Sequence, residues 1–168
     1  MEHYPIPFII VSSLTPNRAK TMENAARSRL PTQLTEEQTT GIEEIDAQHS
    51  YFLGLVKAAE CLSRHPNAES ERTLLLEIAR YAQCHFAYEE TMMDVYGYPE
   101  KNQHVAQHAG ILNALKQALV SEPLNVAQMR FHLLKWLTSH IPLDDKPLAE
   151  FVRLRRSSVE DCLALAGT

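Results

Sequence analysis

Residues 85–108 read HFAYEETMMDVYGYPEKNQHVAQH, and their spacing decides the fold. His85, Glu89 and Met93 recur every fourth residue, which places them on one face of a helix at successive turns. Leu74, Leu75, Ile78 and Ala82 carry that face backwards, so the period predicts a helix from about Ser70 to Tyr96. Gly97-Tyr98-Pro99 ends it. The period resumes at about Lys101, with His104, His108, Ile111, Leu112, Leu115 and Leu119 in line as far as Val120. A break this short makes the two helices antiparallel neighbours.

The same period extends to both sides. Upstream, about Thr40 to Arg64 carries Ile42, Ile45, His49, Phe52, Leu53 and Val56. Thr40-Gly41-Ile42-Glu43 fits a capping box, in which a hydroxyl and a carboxylate satisfy the helix's first free N–H groups. The turn His65-Pro66-Asn67 stops this helix. Downstream, Asn125 to Gln128 caps a helix whose stripe is Val126, Met129, Leu133, Trp136, Leu137 and His140. Pro142 and Pro147 interrupt, and a last, short helix follows from about Leu148 to Ala166. The expected fold is all-α: an up-down-up-down four-helix bundle over residues 36–168, with an N-terminal extension and a short C-terminal helix.

Residues 1–35 carry Pro5, Pro7, Pro16 and Pro31 and no sustained period; a short helix around Arg18 to Leu30 is compatible with them. They read as an extension rather than a second domain, free to pack on the bundle, to dock a protein partner through Ile6 to Val11, or to stay mobile. A formal net charge of -5 excludes the basic footprint of a nucleic-acid binder. Ile6 to Val11 is apolar, but it is short, broken by Pro7 and preceded by Met1-Glu2-His3, a poor secretory signal. No stretch reaches the length of a membrane span. Cys61, Cys84 and Cys162 are odd in number and lack CxxC spacing, which suits reduced thiols in a soluble cytoplasmic protein.

Histidine is the informative excess. His49, His85, His104, His108 and His140 all fall on stripes that should face the core. One such histidine is ordinarily a hydrogen-bonded core residue, but five imidazoles and the Glu89 carboxylate from all four helices need a shared partner. The i,i+4 pairs His85/Glu89 and His104/His108 present two ligands from adjacent turns. His140 adds a third helix's imidazole, and Asp144 or Asp145 follows where Pro142 bends the chain. Imidazole and carboxylate without thiolate suit iron better than manganese or zinc, and seven ligands are too many for one tetrahedral zinc. Five imidazoles, two bridging carboxylates and one bridging oxygen leave two octahedral ions a single open position, which a diatomic ligand requires.

These residues resemble the hemerythrin family, in particular its bacterial members. Gly41-Ile42-Glu43-Glu44-Ile45-Asp46-Ala47-Gln48-His49 resembles the family's first-helix GI..ID.QH motif. His85-Phe86-Ala87-Tyr88-Glu89-Glu90 resembles HF..EE, with Met93 and Gly97-Tyr98-Pro99 following, and His104 and His108 stand at the family's interval after Glu89. Trp136-Leu137-Thr138-Ser139-His140-Ile141 followed by Asp145 resembles W...HI...D, and the likeness spans roughly residues 40 to 150. The intervals His49 to His85 and His108 to His140 are longer than in the short invertebrate carriers, as is common in bacterial members.

The resemblance implies an oxo- or hydroxo-bridged di-iron centre. His104, His108 and His140 would bind one iron, and His49 and His85 the other, which keeps the open position. Glu89 and Asp145 would bridge, Asp145 being preferred to Asp144 because the family's aspartate lies five residues after the last histidine. The implied function is reversible dioxygen binding for storage, delivery or sensing, not catalysis. The alternatives are a di-iron enzyme acting on nitric oxide or peroxide, and a redox- or iron-sensing signalling module. Leu53, Tyr81, Met93, Leu112 and Trp136 should line the pocket, with Tyr81 also a candidate hydrogen-bond donor near a ligand. Asp46 is placed either to orient an imidazole or to stand solvated in the first turn. His3, His65 and His132 fall outside the site, and Cys84 reads as a buried structural thiol.

Overall fold

In the computed structural model, which describes residues 36–63 and 67–166, the helical segments are α1 (Glu43–Ser63), α2 (Ala68–Tyr96), α3 (Lys101–Val120), α4 (Val126–His140) and α5 (Lys146–Ala166). A 3₁₀ turn, Glu36–Gln38, precedes α1, and one π-helical turn, Ile141–Asp145, joins α4 to α5. No strand occurs among the described residues. Each of α1 to α4 packs on two others: α1 on α2 and α4, α3 on α2 and α4. With short connections that closes the up-down-up-down bundle, and α5 leans on α2. No described helix is long and apolar enough to cross a membrane.

The expected helix ends at the α2–α3 turn have a physical cause. Gly97 stands at φ +67°, a left-handed conformation that glycine adopts without a Cβ penalty. Its N–H reaches Asp94 O, and Tyr98 N–H reaches Met93 O at 2.9 Å, which satisfies carbonyls the end of α2 would leave free. At the other end of α2, Asn67 Oδ1 accepts from Ser70 N–H at 2.9 Å. Asn125 Oδ1 does the same for Gln128 N–H on α4.

The cap of α1 differs from the expected box. Asp46, not Glu43, supplies the carboxylate: Oδ1 accepts from Thr40 N–H at 2.7 Å and Oδ2 from Gly41 N–H at 3.0 Å. Thr40 Oγ1 accepts from Ile42 N–H at 3.2 Å and donates to Asp46 Oδ1 at 2.9 Å. The left-handed Gly41, at φ +78°, turns the preceding amides over the first turn, where residue 46 can reach them and the exposed Glu43 does not.

The C-terminal helix is α5, Lys146–Ala166, close to the expected Leu148 to Ala166. Contrary to expectation, the prolines before it do not interrupt the helical chain. Pro142 is the second residue of the π-helical turn, and Pro147 stands in the first turn of α5. Lys146 N–H bonds Ile141 O, so the backbone continues through the wider turn.

The apolar core forms two clusters. One holds Phe52, Val56, Leu75, Ile78, Phe86, Ile111, Leu115, Leu133 and Leu137. The other holds Ile42, Ile45, Met92, Met93, Tyr98, Leu148, Ala149 and Val152. Each fully buried side chain of this size stabilises the fold by about 1.5–3 kcal/mol. On α1, His49 falls between Ile45 of one cluster and Phe52 of the other; on α2, Glu89 falls between Phe86 and Met92. A polar layer is therefore inserted where hydrophobic packing would otherwise continue. The expectations placed on residues 1–35, including His3, the Arg18–Leu30 helix and the Ile6–Val11 docking segment, lie outside the described residues, as do those on His65 and the Cys162 side chain.

Candidate metal centre

The polar layer consists of His49, His85, Glu89, His104, His108, His140 and Asp145, each no more than 2% exposed. All seven sequence-predicted site residues come together there. α1 contributes His49, α2 contributes His85 and Glu89, α3 contributes His104 and His108, α4 ends on His140, and the π-helical turn ends on Asp145. That turn brings Asp145 inward: it lies five residues after His140, and a wide turn returns residue i+5 to the face that an α-helix gives to i+4.

The two carboxylates divide their oxygens between two groups of imidazoles. Glu89 Oε1 faces His85 Nε2 at 3.5 Å and His49 Nε2 at 3.8 Å. Glu89 Oε2 faces His108 Nε2 at 3.2 Å and His104 Nε2 at 3.7 Å. Asp145 Oδ2 lies 3.2 Å from His49 Nε2, while Oδ1 lies 3.1 Å from His140 Nε2 and 3.2 Å from His104 Nε2. Every imidazole presents Nε2 to the centre.

The outward nitrogens of His85, His108 and His140 are held by groups from other positions. Gln48 Oε1 lies 2.9 Å from His85 Nδ1, and Tyr81 donates its hydroxyl to Gln48 O at 3.1 Å. Glu90 Oε1 lies 3.3 Å from His108 Nδ1. Gln107 Oε1 and Asp144 Oδ2 each lie 3.3 Å from His140 Nδ1, and Gln107 donates to Asp144 Oδ1 at 2.7 Å. Two rings fix imidazole planes by stacking: Phe86 on His108 with centroids 3.9 Å apart, and Trp136 on His140 at 4.1 Å.

Burial opposes charge throughout this layer, and the carboxylates overcome it. Burial and the neighbouring Asp145 push the Glu89 carboxyl up, but the imidazoles facing it hold it at about 2. Burial also raises Asp145, yet the facing imidazoles of His104, His140 and His49 keep it well below the usual carboxylate range. Burial lowers His104, and the nearby Asp145 and Glu89 carboxylates lift it to about 9. His49 is raised too, its burial outweighed by Asp145. Burial leaves His85 at about 4, hence neutral. The pocket therefore keeps two buried carboxylates ionised and demands positive charge between them.

Both oxygens of Glu89 and Asp145, and both nitrogens of His49 and His104, are buried without a hydrogen-bond partner. Such orphaned atoms are costly in a finished interior. A cation bound by the carboxylate oxygens and Nε2 atoms satisfies them, so the donors fit a metal site. The groupings are Glu89, His104, His108, His140 and Asp145 on one side and His49, His85 and Glu89 on the other.

A family model, the hemerythrin HHE cation binding domain, matches residues 40–152, more than half of the chain and all seven residues of the layer. The chain belongs to the hemerythrin family. It is similar to the bacteriohemerythrin of Stenotrophomonas maltophilia (strain R551-3), 26% identical over 117 residues that cover 67% of this chain and 76% of that protein. The bacteriohemerythrin of Pseudomonas aeruginosa (strain LESB58) is likewise 26% identical, over 68% of this chain and 76% of its own. That of Campylobacter jejuni (serotype O:23/36, strain 81-176) is 23% identical over 112 residues, 64% and 84% of the two chains.

Within this hemerythrin domain, sequence reasoning missed the outward supports. Gln48, Glu90, Gln107 and Asp144 each adjoin a residue of the layer in sequence, which is the signal that could have found them. Asp46 does not orient an imidazole; it caps α1. Leu53 and Met93 are buried, Tyr81, Leu112 and Trp136 half-buried, and His132 is exposed. Cys84 corrects an expectation: it is exposed, because one residue from His85 is about 100° around the helix and faces solvent.

Proposed function

We propose that His49, His85, Glu89, His104, His108, His140 and Asp145 hold an oxo- or hydroxo-bridged pair of iron ions, and that the chain binds dioxygen reversibly for storage, delivery or sensing. The observation that carries this reading is the split of each carboxylate between the histidine groups. Glu89 and Asp145 can each lend one oxygen to either ion, as bridging ligands do. Three imidazoles then stand on one side and two on the other, so the His49/His85 ion is one donor poorer and has room for a diatomic ligand.

Imidazole and carboxylate donors without thiolate favour iron, which when bound supplies the electrons that dioxygen binding needs. The chain's own residues exclude water and hold imidazole protons outward. Phe52 and Phe86 contribute apolar rings beside His85 and His108, and the layer has almost no solvent exposure. A dry pocket of fixed donors suits holding a ligand rather than turning it over.

Metal analysis and an absorption spectrum test the proposal together. Two irons per chain are expected, with a visible charge-transfer band that forms when the reduced protein meets air and vanishes under argon. Rapid irreversible oxidation, or release of peroxide, overturns reversible binding and favours an enzyme.

A further inference from the structure

A cleft of about 330 Å³ opens where the α2–α3 turn meets the π-helical turn. Its wall runs from Glu100, Gln103 and Leu143 at the surface, past Tyr98 and Asp144, to the ring of His104. His104 is only 2% exposed and directs Nε2 towards Glu89 and Asp145. Its Nδ1 is buried without a partner, unlike the Nδ1 atoms of His85, His108 and His140. The cleft thus ends on a residue of the polar layer, one whose Nδ1 has no partner.

A cation needs such a route more than dioxygen does. A small apolar molecule can pass through transient gaps in packing, whereas a divalent ion must exchange its waters for other polar ligands along the way. The cleft offers an ordered series of them. Glu100 is exposed and brings a carboxylate to the mouth. Gln103 adds an exposed amide. Asp144 spends Oδ1 on Gln107 and turns Oδ2 to His140, so it contributes negative charge rather than a free ligand. Behind these stand His104 and the carboxylates.

We propose that this cleft is the loading port of the metal centre, through which ferrous ion is captured at Glu100 and Gln103 and delivered past His104. The proposal rests on the metal-binding reading above. It separates two traffics: cations enter on the three-histidine side, and the open position for the diatomic ligand belongs to the His49/His85 side.

The test follows uptake of ferrous ion by the metal-free full chain without oxygen, and its later withdrawal by a chelator. Leu143, 71% exposed, can be enlarged at the mouth without touching a ligand, so Leu143→Trp obstructs the port. Glu100→Lys reverses its charge, and Gln103→Trp obstructs it from α3 should Leu143→Trp disturb the π-helical turn, as judged by circular dichroism. Uptake is expected to slow about tenfold in each, with the Glu100→Lys effect shrinking at high salt. The Trp variants should slow withdrawal as well, and the final content should stay at the wild-type value. Wild-type rates in the folded variants, at unchanged content, overturn the port. A wild-type chain that takes up no iron overturns the metal reading, and the port with it.

Discussion

Gln48 Oε1 lies 2.9 Å from His85 Nδ1, so the residue before the α1 histidine orients the first histidine of α2. An amide oxygen only accepts, which puts the imidazole proton on Nδ1 and leaves the inward Nε2 lone pair free. The relationship recurs round the bundle. Glu90, after Glu89, serves His108 on α3, and Gln107, before His108, serves His140 on α4. One residue is about 100° of helix, so a neighbour of an inward group points towards the adjoining helix. α1, α2 and α3 each supply both a residue of the polar layer and the support for an imidazole on another helix.

Gln48→Ala should therefore weaken metal binding without removing a ligand. Losing an outer partner of a metal-bound imidazole typically costs about 10–100-fold in affinity. The Tyr81 hydroxyl bonds the backbone oxygen of residue 48, so that contact survives. Chelator competition is the measurement, and Gln48→Glu, which keeps an acceptor, should recover most of the loss.

Glu89→Ala and His108→Ala should both lose iron. Glu89 is the residue common to both histidine groupings, so its loss removes a donor from each ion at once. His108→Ala should leave at most the His49/His85 side able to hold metal. Iron content after gel filtration checks both, and either variant retaining two irons would contradict the proposed ligand set.

Phe86→Ala should destabilise the metal-free fold by about 3–5 kcal/mol, the usual cost of deleting a buried phenyl group. Phe86 is 1% exposed and stacks on His108 with planes 8° apart, so the cavity forms beside a ligand. Denaturant unfolding of the metal-free protein gives the stability. Phe86→Leu, which refills part of the space, should cost less.

Protons and metal compete for the same nitrogens, and the signs can be worked out. His104 is raised from 6.5 to about 9, so in the metal-free protein its stabilisation is fully present below pH 6.5 and is lost as pH rises through about 9. His85 is lowered from 6.5 to about 4 and favours the folded state above pH 6.5; that contribution is lost as pH falls towards 4. Glu89, lowered to about 2, adds a further loss below the ordinary carboxylate range. At pH 7 His104 carries a proton that a metal must displace. Metal binding should release protons and tighten as pH rises from 7 towards 9, which calorimetry in buffers of different ionisation enthalpy measures.

The helices and inward residues were legible because polar side chains on apolar stripes contradict the pattern around them. Burying His49 between Ile45 and Phe52 makes sense only with a partner. The supports were not legible, since Gln48, Glu90 and Gln107 fall where any solvated residue could stand. Asp46 and Glu43 both lie near the start of α1, and only the left-handed turn at Gly41 selects Asp46 for the cap. Pro142 and Pro147 signal a break in a regular α-helix, and nothing local announces that a π-helical turn will carry the chain through them.

That turn also decides which aspartate belongs to the layer. In a regular α-helix the partner of His140 would be Asp144, four residues on; the wider turn delivers Asp145 inward and leaves Asp144 against His140 Nδ1. Asp145 is 0% exposed with both oxygens unpartnered, whereas the Asp144 side chain is 15% exposed and already bonded to Gln107. The two isosteric substitutions should separate. Asp145→Asn removes a negative charge from the layer and, on the proposed ligand set, should leave fewer than two irons per chain. Asp144→Asn should keep two and lower affinity about 10–100-fold through the His140 imidazole. Equal iron loss in both variants would remove the distinction between bridge and support, and metal analysis beside chelator competition reads the difference directly.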